Sequence, residues 1–330
     1  MGLTWGVAPG LVLLASLESV DNASASSDIE ELWAMDAHMV MESAPMVADL
    51  DGDGDAEILT AAYENIIAVE GTGRELWRYD TRGRYMTYLA ILERHCETPL
   101  IYAGDNTGLL TCLDGTGHVV WQTEVGAIMW TAPAVADLDG DGTPEVIQGD
   151  KSGTLNIFEA LTGKHVWQKT IQGECSSPAV GDLDSDGHLE LVVATGAGKV
   201  FALSASGEVL WEFAMGGTSP DWATCSPVMF GNSKSEASVA AASSQQWFHC
   251  LDRRGRVLWE RPTRGAVASS ISVSDFDGDG RTDLFAITQL GQLYRFDEEG
   301  RVLWDVDTQG RSLASGAIAD MNGDGALEYI

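Results

Sequence analysis

Apolar residues along this chain fall in short runs rich in Val, Ile, Leu and Ala, separated by Gly, Asp, Ser and Thr. Residues 134–167 show the layout most plainly. Ala134-Val135-Ala136 leads into an Asp-Gly stretch, and Glu145-Val146-Ile147 follows it. Then come Leu155-Asn156-Ile157-Phe158, a Thr-Gly turn, and His165-Val166-Trp167. Short β-branched runs bounded by turn residues predict strands, and no stretch holds a sustained helical period. The expectation is four strands per unit, joined by tight turns.

The unit recurs. Trp33, Trp77, Trp121, Trp167, Trp211, Trp259 and Trp304 are 44, 44, 46, 44, 48 and 45 residues apart, and a Gly-containing turn precedes each of the later six. Four strands in a period of about 40–50 residues is the pattern of a propeller blade. The predicted fold is therefore all-β: a seven-bladed β-propeller of four-stranded antiparallel blades spanning residues 29–330. Little sequence follows the last Asp-rich stretch, so the last blade is expected to be incomplete. It would be closed by an N-terminal strand near residues 30–36 pairing with the segment near 313–320, and a strand would still be lacking, as in a fragment of a longer protein. Residues 1–28 are read as a leader, either a signal peptide or disordered. The apolar run 7–17 is too short to span a bilayer. Ala23-Ser24-Ala25 resembles a cleavage site, although no basic residue precedes it.

A second mark keeps the same phase. Asp-x-Asp-x-Asp-Gly begins at Asp49, Asp137, Asp182 and Asp275, with a variant at Asp320. Calcium takes six to eight hard oxygen ligands, and a short loop supplies them with carboxylates at positions 1, 3, 5 and 9 and a backbone carbonyl at position 7. Glycine at position 6 permits the sharp turn. The candidate ligands are Asp49, Asp51, Asp53, Asp55 and Glu57 in the first loop. The next two loops offer Asp137, Asp139, Asp141, Thr143 and Glu145, then Asp182, Asp184, Asp186, His188 and Glu190. The fourth has Asp275, Asp277, Asp279, Arg281 and Asp283, and the last Asp320, Asn322, Asp324, Ala326 and Glu328. About five calcium ions are expected. The EF-hand alternative needs an acid at position 12 and flanking helices, which this sequence lacks. Two repeats have lost the acids: residues 92–100 carry Leu92, Arg94 and Cys96, and residues 231–239 carry Gly231, Ser233 and Ser235. Those turns must close without metal.

The formal charge of −31 argues against nucleic acid as a partner and against attraction to anionic membranes. Five cysteines without a CxxC spacing do not form a zinc site or a disulfide framework. Cys112 and Cys250 occupy matching strand positions. Cys175 and Cys225 precede the inner strands of adjacent repeats, which leaves open whether they are bonded. Gly196-Ala197-Gly198-Lys199 lacks the Ser or Thr and the helix of a phosphate loop and reads as a hairpin turn. Tyr85, Trp130, Trp222 and Trp247 sit near the connections opposite the Asp loops and do not follow the repeat, so they are candidates for stacking on sugar or anchoring a protein ligand.

Residues 43–54 and 131–142 resemble FG-GAP/VCBS-type repeats, the family of the integrin α-subunit propeller. The second half of each repeat, as in residues 158–167, resembles the tryptophan repeat of PQQ-type quinoprotein propellers. Together these resemblances imply a propeller over residues 29–330 that binds calcium and is secreted, periplasmic or at the cell surface. The chain departs from quinoprotein dehydrogenases, which have eight blades and adjacent cysteines. No acid, base or cofactor constellation is legible. The expected function is a non-enzymatic binding or adhesion module for protein or carbohydrate, without membrane insertion. The alternatives are a propeller enzyme, quinone-dependent or polysaccharide-active, and an architectural propeller of a larger surface protein.

Overall fold

The computed structural model describes residues 45–81, 83, 89–94, 97–216, 225–231, 237–267, 270–310, 316–320 and 325–329, with the backbone of Leu11–Ala15 and Glu30–Met35. Every regular element among them is a strand. Six sheets have four strands each, antiparallel and in sequence order. The first comprises Met46–Ala48, Glu57–Ala62, Asn65–Val69 and Glu75–Asp80. The third comprises Ala134–Ala136, Glu145–Gly149, Thr154–Glu159 and His165–Thr170, where the sequence pattern placed them. The sixth runs Ser272–Ser274, Asp283–Ile287, Gln292–Phe296 and Val302–Asp307. In the seventh repeat Ile318–Ala319 pairs with Glu328–Tyr329.

Two compact units divide the chain, residues 1–126 with 320–325, and residues 127–319 with 326–330. The second unit shows how sheets pack. In its strand Glu190–Thr195, Leu191 and Val193 join a core with Ile147, Leu155 and Ile157 of the third sheet. Val192 and Ala194 of the same strand point the other way and pack with Val239, Ala241 and Leu251 of the fifth sheet. Alternate side chains leave opposite faces of a strand. A strand covered on both faces therefore reads as continuously apolar, which is why the middle strands showed no alternation. The fifth and sixth sheets meet through Phe248, Trp259 and Phe296, whose rings stack at 5.0–5.9 Å. In the first unit, Leu59, Ile66, Ile101 and Leu113 form the core between its two sheets.

The periodic tryptophans are docking residues. Indole Nε1 of Trp77 donates to the Gly115 carbonyl at 2.9 Å in the following sheet. In the second unit Trp167, Trp211 and Trp259 donate to the carbonyls of Ala205, Arg253 and Glu298 at 3.0, 2.9 and 2.9 Å. Each indole lies against a turn glycine with positive φ, namely Gly117, Gly207, Gly255 and Gly300, where a methyl group would overlap the ring. The Gly-containing turn and the Trp of successive repeats are thus two halves of one contact.

The N-terminal pairing differs from the expected one. Glu30–Met35 is hydrogen-bonded to Leu11–Ala15, in register from Leu11↔Met35 to Ala15↔Glu30, and Leu11–Ala15 falls inside the expected leader. An edge strand needs a partner. The apolar run supplies one at a far smaller loop-closure cost than a segment at the other end of the chain. Cys112, Cys175, Cys225 and Cys250 are free and buried, and burial pushes each thiol up to about 12. Cys175 and Cys225 are therefore not bonded to each other.

Candidate metal centres

Each Asp loop connects the first two strands of its sheet and is built by its own carboxylates. The position 6 glycine donates its amide to the position 1 aspartate: Gly54 to Asp49 at 3.1 Å, Gly142 to Asp137 at 2.9 Å, Gly187 to Asp182 at 3.0 Å and Gly280 to Asp275 at 2.9 Å. Gly325 donates likewise to Asp320 at 2.9 Å. These glycines have φ between +82° and +94°, so the sharp turn needs glycine. The position 7 residues Asp55, Thr143, His188 and Arg281 donate their amides to the position 5 carboxylates of Asp53, Asp141, Asp186 and Asp279 at 2.7–2.8 Å. The position 9 acid starts the second strand and reaches back to the amide of position 2. Glu57, Glu145 and Glu190 accept from Leu50, Leu138 and Leu183 at 2.8 Å, and Asp283 accepts from Phe276 at 3.1 Å.

This folding brings the expected ligands together. One carboxylate oxygen from each of Asp49, Asp51 and Asp53 lies within 4.8 Å of the others. The same holds for Asp137, Asp139 and Glu145, for Asp182, Asp184 and Glu190, and for Asp275, Asp277 and Asp279. Burial, then the three neighbouring aspartates, pushes the carboxyls of Glu57, Glu145 and Glu190 above the ordinary range, against the pull of the amide each accepts. Such crowding of acids calls for a cation.

The third sheet's loop, Asp137–Glu145, fits a hard cation best. Asp137 Oδ2 accepts from Gly142, while Asp137 Oδ1 is buried with no hydrogen-bond partner. An unsatisfied carboxylate oxygen beside two further carboxylates is a cost unless an ion takes it as a ligand. Asp139 and Glu145 would complete a carboxylate set around that ion.

The sixth sheet's loop is different. Arg295 Nη2 donates to Asp277 at 2.6 Å and to Asp283 at 2.7 Å. Its guanidinium lies 4.9 Å from the Phe276 ring. The ion pair with Arg295 holds the Asp277 carboxyl below its ordinary range. Burial works against the charge on Arg295, but the two carboxylates outweigh it and keep its pKa raised. Sequence reading passed over Arg295. The missed signal was its register: the residues paired with the periodic tryptophans are Ala68, Cys112, Ile157, Ala202, Cys250 and then Arg295. A charge in an otherwise apolar column marks a special site.

In the second sheet, where the acids are lost, Arg94 donates to the Thr98 carbonyl at 2.9 and 2.6 Å and pairs with Glu97. These bonds tie the two ends of the turn together. Among the stacking candidates, Trp130 is partly buried beneath the Lys151 ammonium at 3.9 Å, and Trp247 is exposed. Tyr85, Trp222, Asn322 and Asp324 lie outside the described residues.

Sheets of four antiparallel strands repeating in phase with docked tryptophans define a β-propeller. The chain belongs to the PQQ-like repeat family described as outer membrane protein assembly factor BamB, which it matches over residues 4–128, 151–223 and 197–327. BamB from Moraxella catarrhalis is similar in structure, with a TM-score of 0.63 and 17% identity over 96% of this chain and 97% of that one. The V. cholerae biofilm matrix protein Bap1 matches with a TM-score of 0.68 and 16% identity over 91% of this chain and 76% of its own. A europium-containing methanol dehydrogenase gives a TM-score of 0.70 and 13% identity, covering 92% and 76%. At these identities the likeness is one of fold. No curated protein matches the sequence.

Proposed function

We propose that this chain is a non-enzymatic β-propeller of the cell envelope or cell surface that works by binding protein partners, with calcium holding its Asp loops. The single observation that carries the metal reading is the buried, unpartnered Asp137 Oδ1 beside Asp139 and Glu145. The likeness of residues 43–54 and 131–142 to FG-GAP/VCBS repeats supports the same ion. The partner reading rests on kinship: the family is named for an outer membrane assembly factor, and Bap1 is named as a biofilm matrix protein. No helix among the described residues is long and apolar enough to cross a membrane.

The experiment is a melt of the full chain in calcium, in magnesium and in chelator, paired with an array of envelope proteins and glycans probed in the same three buffers. Calcium-dependent stability with binding to envelope proteins is the expected result. An identical melt in all three buffers would remove calcium. Binding confined to glycans would replace the protein-partner reading with a lectin-like one.

A further inference from the structure

The loop Asp275–Asp283 carries the same acid pattern as the loops at Asp49, Asp137 and Asp182, and its neighbourhood differs at two residues, Arg295 and Phe276. The third strand of the sixth sheet contributes a guanidinium where the first, third and fourth sheets place Ala68, Ile157 and Ala202. Arg295 is only 9% exposed, and a single nitrogen, Nη2, bonds carboxylates at loop positions 3 and 9. Those are the positions from which an ion would draw side-chain ligands in the third sheet's loop, namely Asp139 and Glu145. Phe276, at the position held by leucine in the other three loops, lies beside the guanidinium. Arg295 Nε is buried without a partner, so the side chain is held by the carboxylates and the ring rather than by a full set of its own hydrogen bonds.

The geometry points to Arg295 as a built-in cation that takes the place of the metal in the sixth blade. It neutralises part of the loop's charge, ties the loop to the third strand, and engages one oxygen each of Asp277 and Asp283, of which Asp277 also converges with Asp275 and Asp279. The Asp275–Asp283 loop is then a latent metal site: it takes an ion when Arg295 is removed and stays closed without one when Arg295 is present. This inference rests on the metal reading of the other loops only for its comparison.

The test is the number of calcium ions bound per full-length chain, read by competition with a chromophoric chelator, in the wild type, Arg295→Ala and Asp277→Asn. Alanine already stands at this register in two other sheets, and Arg295→Ile, after Ile157, is the second variant if alanine does not fold. Removing Arg295 is expected to raise the count by one, while Asp277→Asn leaves the wild-type count unchanged. A folded Arg295 variant that gains no ion overturns the inference, as does loss of one ion in Asp277→Asn. A wild type that binds no ion overturns the metal reading of the other loops. The Arg295 inference then stands if the variant gains one ion and falls if it gains none.

Discussion

The third and sixth blades carry nearly the same loop and satisfy it by different means. In the third, Asp137, Asp139 and Glu145 converge around an oxygen that no protein group satisfies. In the sixth, Asp277 and Asp283 converge on Arg295. The loops build themselves alike, with the same glycine-to-aspartate and position 7-to-position 5 hydrogen bonds. The residue that arrives from the third strand is different, and so are position 2, Leu138 against Phe276, and position 9, Glu145 against Asp283. The motif therefore fixes where acids gather, while the strand beside it decides whether a protein cation faces them.

The largest effect should come from withdrawing calcium. A site held at 100 times its dissociation constant contributes about 2.7 kcal/mol. Several such loops should lower the melting temperature well beyond the shift of any single substitution, as read by calorimetry with and without chelator. A melt unmoved by chelator would erase the contrast between the two blades.

Next in size is Arg295→Ala measured in chelator. It strands the buried Asp283 carboxylate and releases the exposed Asp277, so the melting temperature should fall. Adding calcium should recover part of that loss in the variant. An equal loss in both buffers would show that Arg295 contributes packing rather than charge.

Asp137→Asn should behave in the opposite sense to Arg295→Ala. In calcium it removes a ligand and lowers stability, by about 1–3 kcal/mol if one charged contact is lost. In chelator it relieves repulsion among the loop's acids, so its melt should equal or exceed that of the wild type. A loss of the same size in both buffers would assign Asp137 to the turn alone.

A pH series supplies a control that touches neither loop. His249 is buried in the fifth blade, packed edge-on to Phe213, and burial pushes its pKa below the ordinary 6.5. The Glu260 carboxylate at 3.5 Å opposes that shift without cancelling it. The folded state keeps the ring neutral while the unfolded chain protonates it. Stability from this group is therefore present above pH 6.5 and is lost as the pH falls from there through the depressed folded value. The melting temperature should drop over that window in calcium and in chelator alike, and His249→Phe should flatten the drop.

The smallest change in stability is expected from Trp247→Ala. The side chain is exposed at the start of the strand Trp247–Asp252, so its removal should fall within about 0.5 kcal/mol. Reduced binding to the envelope partner at unchanged melting temperature would mark it as a contact residue.

Much of this was legible along the chain. The Trp period and the four short strands per repeat gave the sheets, because strand length and turn chemistry are local properties. The Asp loops were legible for the same reason: their ligands lie within nine residues of one another. The N-terminal pairing was not, since any apolar strand can cover an edge and Leu11–Ala15 does so for Glu30–Met35. Arg295 was not legible either. It lies 12 residues beyond Asp283 and meets it only through the hairpin register that sets Phe285 opposite Arg295.

By itself, then, the sequence determined the repeat, the strands, the spacing of the tryptophans and turn glycines, and the places where carboxylates collect. The tertiary structure decided how that charge is answered: by an unpartnered oxygen open to an ion in the third blade, by Arg295 in the sixth, and in the second blade by Arg94, which pairs with Glu97 and bonds the Thr98 carbonyl. The physical reason is reach. Hydrogen bonds within a loop are set by neighbours in the chain, whereas the charge facing a loop is set by whichever strand the sheet brings beside it.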